Sequence, residues 1–209
     1  MFFNFIIQNY SLNKNKNKNI IVKDLGIINF QDCFNIQKKL QSEIIEIKLN
    51  NRKNNKTKKT PNYLLVVEHD HVYTLGRSGN ENNLLYSNKI LIKNNISFHK
   101  TNRGGDITYH GPGQIVMYPV LDLENFFTDI HKYLRLMESS VIEALNHINI
   151  SSSRNLNKTG VWLDVGNNEE RKICAMGVKV SRWVTMHGLA LNASNDLSYY
   201  EGIVPCGLE

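Results

Sequence analysis

The sequence has no apolar run near the ~18–20 residues that a membrane-crossing helix requires, so no part of it reads as an integral membrane span. It has only three cysteines, Cys33, Cys174 and Cys206, and no two stand at short spacing. An odd, scattered set argues against a disulfide framework and a zinc site, and makes free thiols in a reducing compartment the default. No acidic residue precedes Asp24. The net charge of +6 invites a nucleic-acid reading. Much of that charge, however, lies in Lys14–Lys23 and Lys48–Lys59, where Lys alternates with Asn and no aromatic is interleaved. Such tracts lack the stacking platforms of a nucleic-acid-binding face and read as solvated, low-complexity insertions. A positive surface would still steer an acidic protein partner.

What is present suits one domain. The 209 residues are 41% hydrophobic, enough for a sizeable core. Apolar residues at Phe30, Cys33, Phe34, Leu40, Ile44 and Ile47 recur at helical spacing, which predicts a helix over Phe30–Leu49 with Cys33 on its buried stripe. A polar linker follows to Pro61, within a Lys/Asn insertion at about 50–61. Tyr63–Val67 and Ile96–Lys100 read as short strands, and Ile130 to Ile148 as the clearest amphipathic helix. Gly160–Val165 reads as a strand, then a turn at Asn167-Asn168, then a long β-type stretch from Arg171 to Asn192 broken at Gly177 and at His187-Gly188. Strands and helices in this order predict an α/β (α+β) domain with a mixed, largely antiparallel sheet flanked by helices. His69 and His71 would share a strand face, but Asp70 points the other way and no third ligand stands at metal spacing, so no metal is expected.

The densest chemistry lies in Arg103–Tyr118, R-G-G-D-I-T-Y-H-G-P-G-Q-I-V-M-Y. Its glycines allow tight turns or close approach to a ligand, and Arg103, Thr108, Tyr109 and His110 are the polar groups such a loop would present. The bland alternative is a hairpin with awkward turns. A second candidate is Cys206, between Pro205 and Gly207, on a turn instead of a strand face. A nucleophilic thiol needs a lowered pKa, which a nearby cation supplies; Lys172 and Lys179 are the candidates. The alternative is an ordinary loop cysteine. Lys172 leads into the apolar run Ile173–Gly177, where a lysine is costly unless paired or used. Cys174 sits inside that run and reads as packing.

Arg103-Gly104-Gly105-x-x-Thr108-Tyr109-His110-Gly-Pro-Gly113-Gln114 resembles the signature of the lipoyl(octanoyl) transferases, whose fold is that of the biotin and lipoate protein ligases. Lys172 before Ala175-Met176-Gly177, then His187-Gly188-Leu189-Ala190-Leu191-Asn192 and Pro205-Cys206-Gly207, agree in order and spacing. The resemblance covers about residues 24–208 outside the Asn/Lys tracts. It implies an acyltransferase that moves octanoyl from acyl carrier protein to a lysine of a lipoyl domain, the first step of endogenous protein lipoylation. The acceptor would be a lipoyl domain of a 2-oxoacid dehydrogenase complex or the glycine-cleavage H protein. Cys206 would carry the acyl group as a thioester, and Lys172 would depress its pKa and relay protons. Arg103, Gly104, Gly105, Asp106, Ile107, Thr108, Tyr109 and His110 would line the acyl pocket with Ala175, Met176 and Gly177 and with Gly188, Leu189 and Ala190. Backbone amides of the glycine turns would serve the oxyanion. No cofactor and no ATP are implied, since the donor is already a thioester on phosphopantetheine. The family continues tens of residues past Pro-Cys-Gly, whereas this sequence stops at Glu209, so residues 23–209 are expected to be a catalytic domain short at its C-terminus.

The nearest rival is an ATP-dependent lipoate–protein ligase of the same fold. Such ligases favour a second Arg before the glycines and an Asp after the Tyr-His pair; here Thr101-Asn102 and Gly111 hold those places. The Gly-Arg-Gly-Arg and Lys-Trp-Pro-Asn-Asp segments of biotin ligases are absent. A non-catalytic basic module is the reading from another class. The acid-free start over residues 1–22 has the character of an organelle transit region, plastid-type (apicoplast-like) or mitochondrial, or else of a first strand with an insertion; a cytoplasmic location is the alternative, and a monomer is the default.

Overall fold

The structure, a computed structural model, describes residues 16–205. The leader reading falls mostly on residues 1–15, and Cys206 follows the last described residue; both lie outside the described residues. The described residues open with β1 (Ile21–Ile27) and α1 (Phe30–Asn54), then β2 (Tyr63–Glu68), β3 (Val72–Leu75), the short α2 (Asn88–Lys93), β4 (Ser97–Lys100), β5 (Ile107–His110) and β6 (Gln114–Val120). After α3 (Ile130–His147) come β7 (Val161–Leu163), β8 (Arg171–Ser181) and β9 (Val184–Asn192). Single 3-10 turns occupy Glu81–Asn83, Leu123–Asn125 and Leu197–Gly202.

Six strands make the large sheet in the order β1-β2-β6-β9-β8-β7, antiparallel except for the β1-β2 pair. Three make the small sheet, β4-β3-β5, with β3-β4 parallel and β3-β5 antiparallel. This is the mixed, mainly antiparallel α/β fold expected. Strand alternation divides the core between two helices. Val116 and Tyr118 of β6 and Ala190 of β9 pack with Cys33, Leu40 and Ile44 of α1. Their neighbours in sequence, Met117, Leu189 and Leu191, pack with Val141 and Leu145 of α3 on the opposite face. Each fully buried aliphatic of these stripes stabilises the fold by about 1.5–3 kcal/mol.

Both long helices start where a side-chain cap allows. Asn29 Oδ1 accepts the Gln31 N–H at 2.8 Å, and Asp129 Oδ1 accepts that of Lys132 at 2.9 Å. The first helix runs five residues into the stretch expected to be linker. It ends where Asn55 takes a left-handed conformation, φ 48°, and Asn51 holds Lys58 through both its side-chain amide groups. The Asn/Lys tract at the N-terminus is likewise not a free insertion. Asn17 donates to the Thr60 carbonyl at 2.9 Å, and Asn62 Nδ2 donates to the carbonyls of Asn17 and Asn19. Asparagine carries hydrogen-bonding groups that match backbone, so a run that is low in complexity can still dock.

Two expected continuities and breaks fall elsewhere. The β-type run after Tyr63 is split at His69–His71, which carries the chain from the large sheet to the small one. The stretch from Arg171 to Asn192 is not broken at Gly177 or His187-Gly188: Gly177 pairs with Gly188 in an uninterrupted ladder. The turn is Arg182-Trp183, both at positive φ (49° and 64°), a two-residue hairpin turn made without the usual Asn or Gly. Trp183 is retained there by its carbonyl, which accepts the Leu123 N–H at 2.8 Å.

Candidate active site

Gly177 explains how the small sheet's loop meets the large sheet, and Gly188 how β9 fits against β6. A Cβ on Gly177 would stand 2.7 Å from the Gly104 carbonyl oxygen and 3.2 Å from Arg103 Cδ; one on Gly188 would stand 2.1 Å from the Met117 carbonyl oxygen. The Arg103–Gly105 loop therefore lies directly on β8, where the Gly104 N–H donates to the Val178 carbonyl at 2.9 Å. That bond removes the Gly104 amide as an oxyanion donor. Arg103 is nearly buried and crosses to the small sheet: its Nη2 donates to the carbonyl and hydroxyl of Thr74 at 2.5 and 2.9 Å, and its Nη1 to the Gly104 carbonyl at 3.1 Å.

Between the loop and β8/β9 runs a cleft of about 540 Å³. One wall is Arg103, Gly105, Asp106, Ile107, Thr108 and His110; the other is Ala175, Met176 and Gly177 with Gly188, Leu189 and Ala190. Lys172 lines the same cleft, and so does Pro205, the residue before Cys206. Two expected wall residues lie elsewhere. Gly104 faces β8, and the Tyr109 ring, by strand alternation, points into the small sheet's core, stacked on Tyr199 at 5.1 Å with its hydroxyl on His71 Nδ1 at 2.7 Å. Phe30, Trp162, His187, Asn192 and Tyr200 line the cleft without having been singled out for it. The only sequence signal for Trp162 was its place in the strand read over Gly160–Val165, but Lys172 Nζ lies 4.8 Å from its ring centroid, a cation–π contact that orients the lysine.

The floor of the site is a neutral polar chain. His110 donates from Nδ1 to Gln114 Oε1 at 2.8 Å, and Gln114 Nε2 donates to Asn192 Oδ1 at 2.8 Å and to the Tyr109 carbonyl at 3.2 Å. With that tautomer His110 Nε2 faces the Thr74 hydroxyl at 3.4 Å. Burial, reinforced by His69, pushes the His110 pKa down to about 3; burial and then the Arg103 charge do the same to His187. Both imidazoles are neutral near pH 7. His187 is also a buried non-glycine residue at φ 60°, tied from Nε2 to Asn102 Oδ1 at 3.0 Å, a strained backbone at the edge of the cleft. His69, fully buried, donates from Nδ1 to the Ile28 carbonyl and accepts the Tyr118 hydroxyl, while His71 stacks on Tyr199. The two histidines that strand spacing would put on one face end in different clusters.

The described thiols are inert. Burial raises Cys33 to about 12 and lifts Cys174 further still.

Residues 43–209 match the family described as the lipoyl protein ligase A/B catalytic domain. The chain is 56% identical over 193 residues to an octanoyltransferase of Flavobacterium psychrophilum, covering 92% of this chain and 83% of that one. It is 50% identical over 201 residues to an octanoyltransferase of Cytophaga hutchinsonii, covering 95% and 82%. Among solved structures, it superposes on P. falciparum LipL1 in complex with lipoate with a TM-score of 0.63 at 14% identity, over 88% of this chain and about half (51%) of that one. The bi-partite lipoate protein ligase of Thermoplasma acidophilum, solved with its E2 lipoyl domain, gives a TM-score of 0.58 at 18% identity over 88% and 66%. At such identities the structural likeness concerns the fold alone.

Proposed function

The chain belongs to the lipoyl protein ligase A/B catalytic-domain family and is an acyltransferase that moves octanoyl groups in protein lipoylation, and on that premise we propose that it works through an acyl-enzyme on Cys206 with Lys172 handling protons. The observation that carries this reading is the cleft, which gathers Lys172, the Arg103–His110 wall and the Gly177/Gly188 wall beside Pro205. Its apolar side, Met176, Leu189 and Ala190, suits an alkyl chain, and Lys172 lines it from β8, next to Arg171.

The acyl donor is read as octanoyl thioester on the phosphopantetheine of acyl carrier protein. Lys172 takes the proton of Cys206, whose thiolate attacks the thioester carbonyl; the new C–S bond forms and a tetrahedral oxyanion collapses, breaking the bond to the pantetheine sulfur. The departing thiolate recovers the proton from Lys172. The amine of a lysine on a lipoyl domain then attacks the acyl-cysteine, forming a C–N bond and breaking the C–S bond, while Lys172 moves the proton from nitrogen to the Cys206 sulfur. No electrons are gained or lost. Exchange between thioesters is nearly isoenergetic and amide formation is downhill, so neither ATP nor another cofactor is needed. The acceptor is read as the lipoyl domain of a 2-oxoacid dehydrogenase complex or the glycine-cleavage H protein.

Incubation with octanoyl-acyl carrier protein followed by intact mass measurement tests this. An octanoyl adduct is expected, lost on Cys206→Ser and formed roughly 10²–10⁴-fold more slowly on Lys172→Ala. Labelling by free octanoate that requires ATP and ignores Cys206 would instead favour the ligase.

A further inference from the structure

The wall residue Asp106 makes contacts that an acyl pocket does not need. Its Oδ1 accepts the backbone N–H of Ile107 at 2.7 Å and of Asn80 at 3.2 Å, and its Oδ2 accepts Asn83 Nδ2 at 2.5 Å. A Cβ on Gly79 would come within 2.6 Å of the same carboxylate, so the turn is wrapped closely around it. Asp106 thereby organises the turn Asn80–Asn83, which lies outside the cleft.

That turn holds the end of the described chain. The Asn83 carbonyl accepts the Val204 N–H at 2.8 Å, Leu84 bridges Ile203, and the Leu85 N–H donates to the Gly202 carbonyl at 2.9 Å. Upstream, Tyr73 donates to the Tyr199 carbonyl at 2.5 Å. The segment that leads into Cys206 is therefore pinned to the small sheet, while Lys172 stands on β8 of the large one. Pro205 and Lys172 line one cleft but are held from different sheets.

We propose that Asp106 is a positioning residue: through Asn83 it anchors Ile203–Pro205 and so sets where the nucleophile's segment meets the cleft. This rests on the reading of Cys206 as nucleophile. The carboxylate reaches Asn83 by side chain, and Asn83 reaches Val204 by backbone, so one contact couples the acyl-binding loop to the segment Ile203–Pro205.

The test exchanges donor and acceptor. Asn83→Asp alone sets two carboxylates against each other and is expected to slow single-turnover octanoylation by about 10- to 100-fold, with the KM for octanoyl-acyl carrier protein changed less than about twofold; Asp106→Asn alone can be met by a flip of the Asn83 amide and should slow it less. The double variant Asn83→Asp/Asp106→Asn restores a donor–acceptor pair and should recover most of the rate. Should the single carboxylate pair fail to fold, Asn83→Ala and Asp106→Ala serve: both should slow acylation by a similar factor, and their combination no further. Wild-type rates in the single variants, a change confined to KM, or a double variant no faster than the worse single would overturn the proposal. Failure of the underlying reading looks different: the adduct would survive Cys206→Ser.

Discussion

Glu138 illustrates how one side chain can hold an element that the site depends on. It lies on the buried stripe of α3 with no exposed side-chain surface, and accepts the Gly160 N–H at 3.0 Å, Arg135 Nη1 at 2.8 Å and Arg154 Nε at 3.1 Å. Gly160 immediately precedes β7, whose Trp162 supports Lys172. Glu138→Ala leaves a buried N–H without an acceptor, whereas the two arginines, both partly exposed, can turn to water. We expect a loss of about 2–3 kcal/mol in urea unfolding, less than for a fully buried ion pair. Glu138→Gln, which keeps an acceptor for Gly160, should cost less than half of that.

At the scale of elements, the decisive junction is the loop on β8. Alanine at Gly177 would drive a methyl against the Gly104 carbonyl, whose residue is fixed by its own N–H bond to the Val178 carbonyl, and so cannot be absorbed by a rotamer change. Gly177→Ala is expected to lift the Arg103–Asp106 wall off the strand and raise the KM for the acyl donor by tenfold or more. Its cost to stability should stay near about 1–3 kcal/mol, the range for overpacking. Steady-state kinetics and thermal unfolding of the same preparation separate the two effects; a normal KM with lowered stability would place the role of Gly177 in folding alone. The same junction frames the polar His110–Gln114–Asn192 chain: Gln114 is fully buried between the loop and β9, while His110 and Asn192 face the cleft.

For the molecule as a whole, the interior holds neutral histidines. His110, faced by His69, Arg103 and His187, and His187, faced by Arg103 and Lys179, are each held near 3, against about 6.5 when unfolded. Below pH 6.5 the unfolded chain binds protons that the native one refuses. Their contribution is thus fully present above pH 6.5 and is lost as pH falls toward 3. The unfolding free energy from urea melts should be level between pH 8 and 7, then fall by up to about 1.4 kcal/mol per pH unit for each histidine. His187→Asn should shallow that slope; an unchanged slope would mean that carboxylates govern acid unfolding instead.

The sequence alone determined the family, the helices over Phe30 and Ile130, most strands, and the candidates Lys172 and Cys206, because motif spacing and hydrophobic period are local properties written along the chain. It also marked Gly177 and Gly188 as special, but as breaks in a strand. Only tertiary structure decided that they are points of contact, Gly177 with the Gly104 loop and Gly188 with β6: a glycine required by a backbone distant in sequence looks in sequence like one required by its own turn. The same holds for Arg182-Trp183, a turn lacking turn residues because Trp183 is held by Leu123. Asp106 and Asn83, 23 positions apart, meet only when the small sheet forms. Pairing at that distance is set by the packing of both sheets, which no local pattern encodes.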